Sequence, residues 1–251
     1  MAGHSHWAGI KHKKALVDAK RGKLWSKLSR AIIVAARAGG GDPEFNPRLR
    51  AAIDAAKAAS MPKDNIERAI KRGTGELEGT SYEEVIYEGY GPGGVAILCE
   101  ALTDNRNRTT SEIRKCFEMY QGKLGGANCV AWMFERKGLF LFDASSVNED
   151  LVMEVAIEAG AEDVRRSGNK IEVVTALEDF ENVKQGFHRA NMHPELAQIS
   201  RIPKETVELD ADTARKVLKL IDRLDDHDDV QSVSSNFNIP EEVMAELERG
   251  D

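Results

Sequence analysis

Residues 137–203, KGLFLFDASSVNEDLVMEVAIEAGAEDVRRSGNKIEVVTALEDFENVKQGFHRANMHPELAQISRIP, decide the fold. KGLFLFD reads as a strand and NEDLVMEVAIEAG as a helix. Short strands follow near EDVRR and KIEVVTA, then the helix LEDFENVKQGFHRAN and the strand AQISRIP. Residues 135–203 therefore spell β-α-β-β-α-β, the ferredoxin-like order.

Each flank of that segment carries half of such a unit. Before it, GVAILCEALT reads as a strand, Thr109-Thr110-Ser111-Glu112 as a capping box opening the helix SEIRKCFEMY, and CVAWMF as a second strand. After it come the strand TVEL, the helix TARKVLKLIDRL and the strand VQSVSSNF. Joined, the halves complete a second β-α-β-β-α-β. The expectation is a discontinuous domain of residues 79–134 plus 204–246, with residues 135–203 inserted into it.

Residues 1–78 read as helical throughout. Leu24, Trp25, Leu28, Ile32, Ala35 and Ala36 fall on one face at the helical repeat, and Lys20, Lys23, Lys27, Arg30 and Arg37 gather on the other. AGGGDPEFNP breaks that helix with glycines and prolines. Asn46-Pro47 is a cap followed by a first-turn proline, opening a helix with Leu49, Ile53 and Ala56 inside. Met61-Pro62 starts a third, with Ile66 and Ile70 inside and Gly73 as its stop. The predicted fold class is α+β, an N-terminal three-helix domain followed by two ferredoxin-like domains.

At 251 residues the chain is long enough for two or three domains. No run of about 18 apolar residues is present to span a bilayer. The basic start lacks the apolar stretch of a secretory signal. It shares basicity and acid-poverty with transit peptides, but runs directly into fold-like helices, so a cytoplasmic protein without a leader is expected. Cys99, Cys116 and Cys129 form no CxxC pair and an odd number, the pattern of small hydrophobes in a reducing compartment.

The net charge of −7 conceals a polarity. Residues 1–80 hold 16 Lys and Arg against 8 Asp and Glu, whereas the remainder holds 19 against 34. A basic head on an acidic body points to a polyanion meeting one end only. Lys11, Lys13, Lys14, Lys20, Arg21, Lys23, Lys27 and Arg30 offer phosphate contacts, with His12 alongside as a partly protonated partner and Trp7 to stack on a base. Six such contacts imply a salt slope of roughly −4 to −5. In TDNRNRTT, Arg106 and Arg108 project from a loop and suit phosphate, while Asp104 and the asparagines serve equally as turn formers.

Other constellations point to no chemistry. His4, His6 and His12 have no Cys or acid at ligand spacing, so no metal is expected. EGYGPGGV lacks the Lys-Ser/Thr of a P-loop and precedes a strand, and reads as an interdomain turn. LIDRLDDHDD, around His227, lacks the Gly and Glu of an EF-hand and reads as a solvated helix end. There is no nucleophile elbow and no HExxH. No enzyme activity, cofactor or small-molecule substrate is expected.

Taken together, MAGHSHWAGIKHKKALVDAKRGKLWSKL, MPKDNIERAIKRG, YEGYGPGGVAILCEALTDNRNRT and VAWMFERKG closely resemble the YebC family. It includes bacterial proteins labelled probable transcriptional regulators and the mitochondrial translational activator of cytochrome c oxidase. The resemblance covers nearly the whole chain and implies a three-domain cytoplasmic protein without catalytic activity. It departs from the family pattern at His6, where Lys is usual, at Gly9, where Asn is common, and at Asn128-Cys129, where Gly-Ser is usual. Three functions stay open: a DNA-binding transcriptional regulator, a ribosome-associated translation factor binding ribosomal RNA, and a protein-interaction module. The expected function is that of a nucleic-acid-binding regulator of gene expression. No motif for groove reading is present, so backbone binding is expected.

Overall fold

The computed structural model describes residues 21–249. Three helices open it: α1 (Arg21–Gly39), α2 (Pro47–Ala58) and α3 (Lys63–Thr74). Their shared core holds Ile32, Ala35, Ala36, Leu49, Ile53, Ala56, Ile66 and Ala69, the apolar stripe read from periodicity. Asn46 caps α2 by accepting from the Leu49 amide at 3.0 Å. Its own amide donates to the Ala35 and Gly40 carbonyls, so one buried side chain also fixes where α1 ends.

Gly73 is not the stop of α3. The helix runs on to Thr74 and closes on Gly75, whose φ of 85° is left-handed. Gly73 is instead the crossing point with α1, where an added Cβ would sit 2.6 Å from both the Ala36 Cβ and the Ile33 carbonyl oxygen. Gly73→Ala is therefore expected to destabilise the protein by about 2 kcal/mol, read as a lower urea midpoint, although alanine is the better helix former.

The strands β1 (Glu83–Tyr90), β2 (Ala96–Thr103), β3 (Lys123–Leu124) and β9 (Val230–Ser235) form one sheet in the order β3-β1-β2-β9. All neighbours are antiparallel. Helices α4 (Arg106–Met119) and α7 (Ala211–Asp225) cover one face over a core of Tyr87, Ile97, Phe117, Val217, Leu220 and Val230. The order is ferredoxin-like, but the strand set differs from the one the sequence suggested. Part of the EGYGPGGV turn belongs to β1, which takes the position between β2 and β3 expected for TVEL. TVEL is displaced: β8 (Val207–Glu208) pairs in parallel with β10 (Phe237–Asn238) in a separate ribbon.

CVAWMF is likewise no strand until its last residue. The buried Glu88 carboxylate accepts from the backbone amides of Asn128, Val130 and Ala131 at 2.7 to 2.8 Å. Amides spent on a carboxylate are lost to a strand ladder, so residues 129–133 turn and β4 (Phe134–Asp143) begins after them.

The second large sheet comprises β4, β5 (Ala161–Ser167), β6 (Lys170–Thr175) and β7 (Leu196–Pro203) in the order β5-β6-β4-β7, with α5 (Glu149–Glu158) and α6 (Phe180–Arg189) between strands. This is the β-α-β-β-α-β arrangement read from the sequence. Phe140, Phe142, Phe180 and Phe187 interlock beneath the helices. A last helix, α8 (Glu241–Arg249), has no counterpart in the sequence reading.

The molecule is thus α+β, with a helical N-terminal part and two sheet-bearing parts. On this strand order we propose the domain limits 1–78, 79–134 with 204–246, and 135–203. Cys99 and Cys116 are buried and Cys129 is half-buried. Among the described residues, no helix is long and apolar enough to cross a membrane, and no group of His, Cys, Asp or Glu is placed to hold a metal ion.

Candidate nucleic-acid interface

Trp7, Lys11, His12, Lys13, Lys14 and Lys20 lie outside the described residues, as do His4 and His6. Arg21 is the first residue of α1. Of the remaining candidates, Lys23, Lys27, Arg30 and Arg108 converge on the end of α7 or on the residues that follow it.

Helix α7 finishes at Asp225, with Asp226 as its C-cap. The unpaired carbonyls of a helix C-terminus carry partial negative charge, and four aspartates at positions 225, 226, 228 and 229 add to it. The cationic face of α1 docks there. Lys23 Nζ lies 3.2 Å from the Asp226 carbonyl, 3.4 Å from the Asp226 carboxylate and 3.7 Å from that of Asp228. Lys27 donates to the Asp225 carbonyl and Arg30 to the Asp228 carbonyl. The reading of LIDRLDDHDD as a solvated helix end is thereby corrected: these acids meet cations some 200 residues earlier in the chain.

Asp229 is the hub of the junction, its side chain only 4% exposed. Its carboxylate takes Arg30 at 3.1 Å, Arg108 at 2.8 Å and the Thr109 hydroxyl at 2.6 Å. Burial alone would raise its pKa, but the Thr109 hydroxyl and the Arg108 and Arg30 charges outweigh that and hold the carboxyl below its ordinary value. Arg30 also lies over the Tyr82 ring at 5.5 Å, which ties α1 to the connection into β1.

Thr109 does not open a helix. Asn105 does, accepting from the Arg108 amide at 3.1 Å, because the Thr109 hydroxyl is engaged with Asp229 and Thr103. Arg106 and Arg108 consequently stand in the first turn of α4 and not on a loop. Arg108 is bound between Asp104 and Asp229, at 2.8 Å from each. Arg106 is exposed and, among the described residues, meets no carboxylate within ion-pair distance. Beside the junction, His227 takes the Asp229 amide on Nδ1 and faces Glu112 through Nε2 at 2.9 Å.

Arg68, Lys71 and Arg72, which the sequence reading did not single out, share one exposed face near the end of α3. Among the described residues none of the three has an ion-pair partner. The signal was present in ERAIKRG, where the cations follow the helical repeat opposite Ile66 and Ile70.

Known proteins sharpen this picture. Residues 5–76 match the model of the TACO1/YebC protein N-terminal domain. Residues 82–237 match that of the TACO1/YebC second and third domain. The chain belongs to the TACO1/YebC family. A Rhodopirellula baltica protein named as a probable transcriptional regulatory protein is 56% identical over 98% of this chain and 100% of its own length. A Dictyoglomus thermophilum protein of the same designation is 54% identical, again over 98% of this chain and all of its own. Among solved structures, that of a conserved hypothetical protein from Aquifex aeolicus shares 56% identity and a TM-score of 0.85, covering 94% of this chain and 98% of that one. The designation that these relatives carry is regulatory, not enzymatic.

Proposed function

We propose that this protein is a cytoplasmic, non-enzymatic regulator that binds nucleic acid through its helical head, on DNA as the names of its relatives suggest. Charge polarity supports the reading: residues 1–80 hold twice as many cations as anions, and Arg68, Lys71 and Arg72 face solvent with no carboxylate partner among the described residues. Phosphate contacts of this kind supply affinity without reading sequence. Arg106 adds a further exposed guanidinium at the start of α4. Lys11, Lys13 and Lys14, with Trp7 and His12 close in sequence, add to the positive charge of the head.

The test is duplex binding measured across a range of salt. Reversing Arg68, Lys71 and Arg72 to Glu should make the salt slope shallower by about 2 to 3 and leave the thermal midpoint unchanged. Reversing Lys11, Lys13 and Lys14 should act in the same direction. Unchanged binding in both variants removes the head from the interaction. Co-sedimentation with ribosomes separates the two nucleic-acid targets. Ribosome binding that survives salt able to strip duplex DNA assigns the protein to translation, and a strong preference for one promoter assigns it to transcription.

A further inference from the structure

We infer that the run Asp225–Asp229 acts as an internal stand-in for a nucleic-acid backbone, which occupies the cationic face of α1 and must be displaced before phosphates reach it. This rests on the nucleic-acid reading above and adds its regulation.

Lys23, Lys27 and Arg30 follow the i, i+4, i+7 spacing of one helix face and span about 10 Å. One strand of duplex DNA advances about 3.4 Å of axis per phosphate, so the row matches roughly three phosphates. What the row meets in this structure is an equivalent array of oxygens. The Asp225, Asp226 and Asp228 carbonyls each accept from one of the three cations, and the Asp226, Asp228 and Asp229 carboxylates lie beside them.

The contact is graded, which is what displacement requires. At its inner end Arg30 and Asp229 are nearly enclosed, with side chains 18% and 4% exposed. At its outer end Lys23 and Asp228 are 47% and 63% exposed and 3.7 Å apart. Exposed pairs of that kind are screened and weak. A cleft of about 600 Å³ runs along the contact and reaches its outer end, where Lys115 and Arg223 line it together with Lys23 and with the acids Asp104 and Glu112. An incoming phosphate strand thus meets two further cations at the place where the internal acids are held least firmly. Asp229 keeps its Arg108 and Thr109 partners after the exchange, so the fold survives the opening.

The experiment uses the full chain and a fluorescently labelled random DNA duplex of about 30 base pairs, with anisotropy followed against salt. Asp226→Asn with Asp228→Asn should tighten binding about tenfold at low salt and steepen the slope by about 1 to 2, since freed cations of α1 then contact phosphate. Asp228→Asn alone should move both quantities in the same direction by less. Asp150→Asn with Glu154→Gln carries the same change of net charge on α5 and serves as the control. Tighter, steeper binding confined to the α7-end variants supports the inference. Equal binding by wild type and those variants, or equal gains in the control, overturns it and leaves the nucleic-acid reading in place. Absence of duplex and ribosome binding in every form at low salt overturns both.

Discussion

Asp229→Ala is expected to lower stability by about 3 kcal/mol, measured as a drop in urea midpoint with an unchanged m-value. The carboxylate is 4% exposed and serves two guanidiniums and a hydroxyl from two separate helices, α1 and α4. Removing one side of a buried ionic cluster strands the other, which costs more than the pair's net contribution. Thr109 is fully buried and would lose its carboxylate partner, while Arg108 retains Asp104. That residual partner sets the figure at the low end of the range for broken buried pairs. Because the folded-state carboxyl titrates below its ordinary value, its contribution is fully present above the unfolded value. It is lost as pH falls through the folded one. The gap between wild type and Asp229→Ala should therefore narrow in the acid range below about pH 4. A cost below about 1 kcal/mol at neutral pH would mean that the arginines find other partners, and Asp229 would not be the hub.

Glu172→Gln should act in the opposite direction. Glu172 lies on the face of the second large sheet away from the helices and is only 5% exposed. Burial raises its carboxyl to about 7, only partly opposed by Arg165 and reinforced by Asp163. With the folded-state value above the unfolded one, the protein is most stable when Glu172 is protonated. The advantage is full below the unfolded value of 4.5 and disappears as pH rises through about 7. Wild type should lose about 3 kcal/mol across that interval from this group alone. The glutamine variant, always neutral, should lack the loss and exceed wild type at pH 8 by up to about that amount. Urea unfolding of both proteins at pH 5 and pH 8 checks it, and parallel pH profiles would remove Glu172 as the cause.

The elements that could be read from the sequence are those whose partners lie nearby. KGLFLFD, KIEVVTA and the helices between β4 and β7 were legible because their apolar spacing, the glycine and proline breaks and their order along the chain all agree. Asn46 was legible as a cap because its target, the Leu49 amide, is three residues away. β1 was not. Its outward Glu88 looks like a loop residue until Asn128, Val130 and Ala131 fold over to satisfy it, and the same contact removes the strand expected at CVAWMF. The start of α4 was misread for a similar reason: the Thr109 hydroxyl, a plausible cap, is claimed by Asp229 across 120 residues. Gly73 carries a helix-stop signal in sequence and a helix-crossing role in space.

The candidate interface divides in the same way. The cationic face of α1, the surplus of cations in the head and the row Arg68, Lys71 and Arg72 follow from composition and the helical repeat, so the sequence alone determined where positive charge lies. The partner of that charge was settled by tertiary structure. An ion pair has no periodicity of its own, and only when α7 closes beside β9 do Asp225 to Asp229 reach Lys23, Lys27 and Arg30. Local pattern places a charge on a face, and long-range packing decides whether that face meets solvent or the chain's own acids.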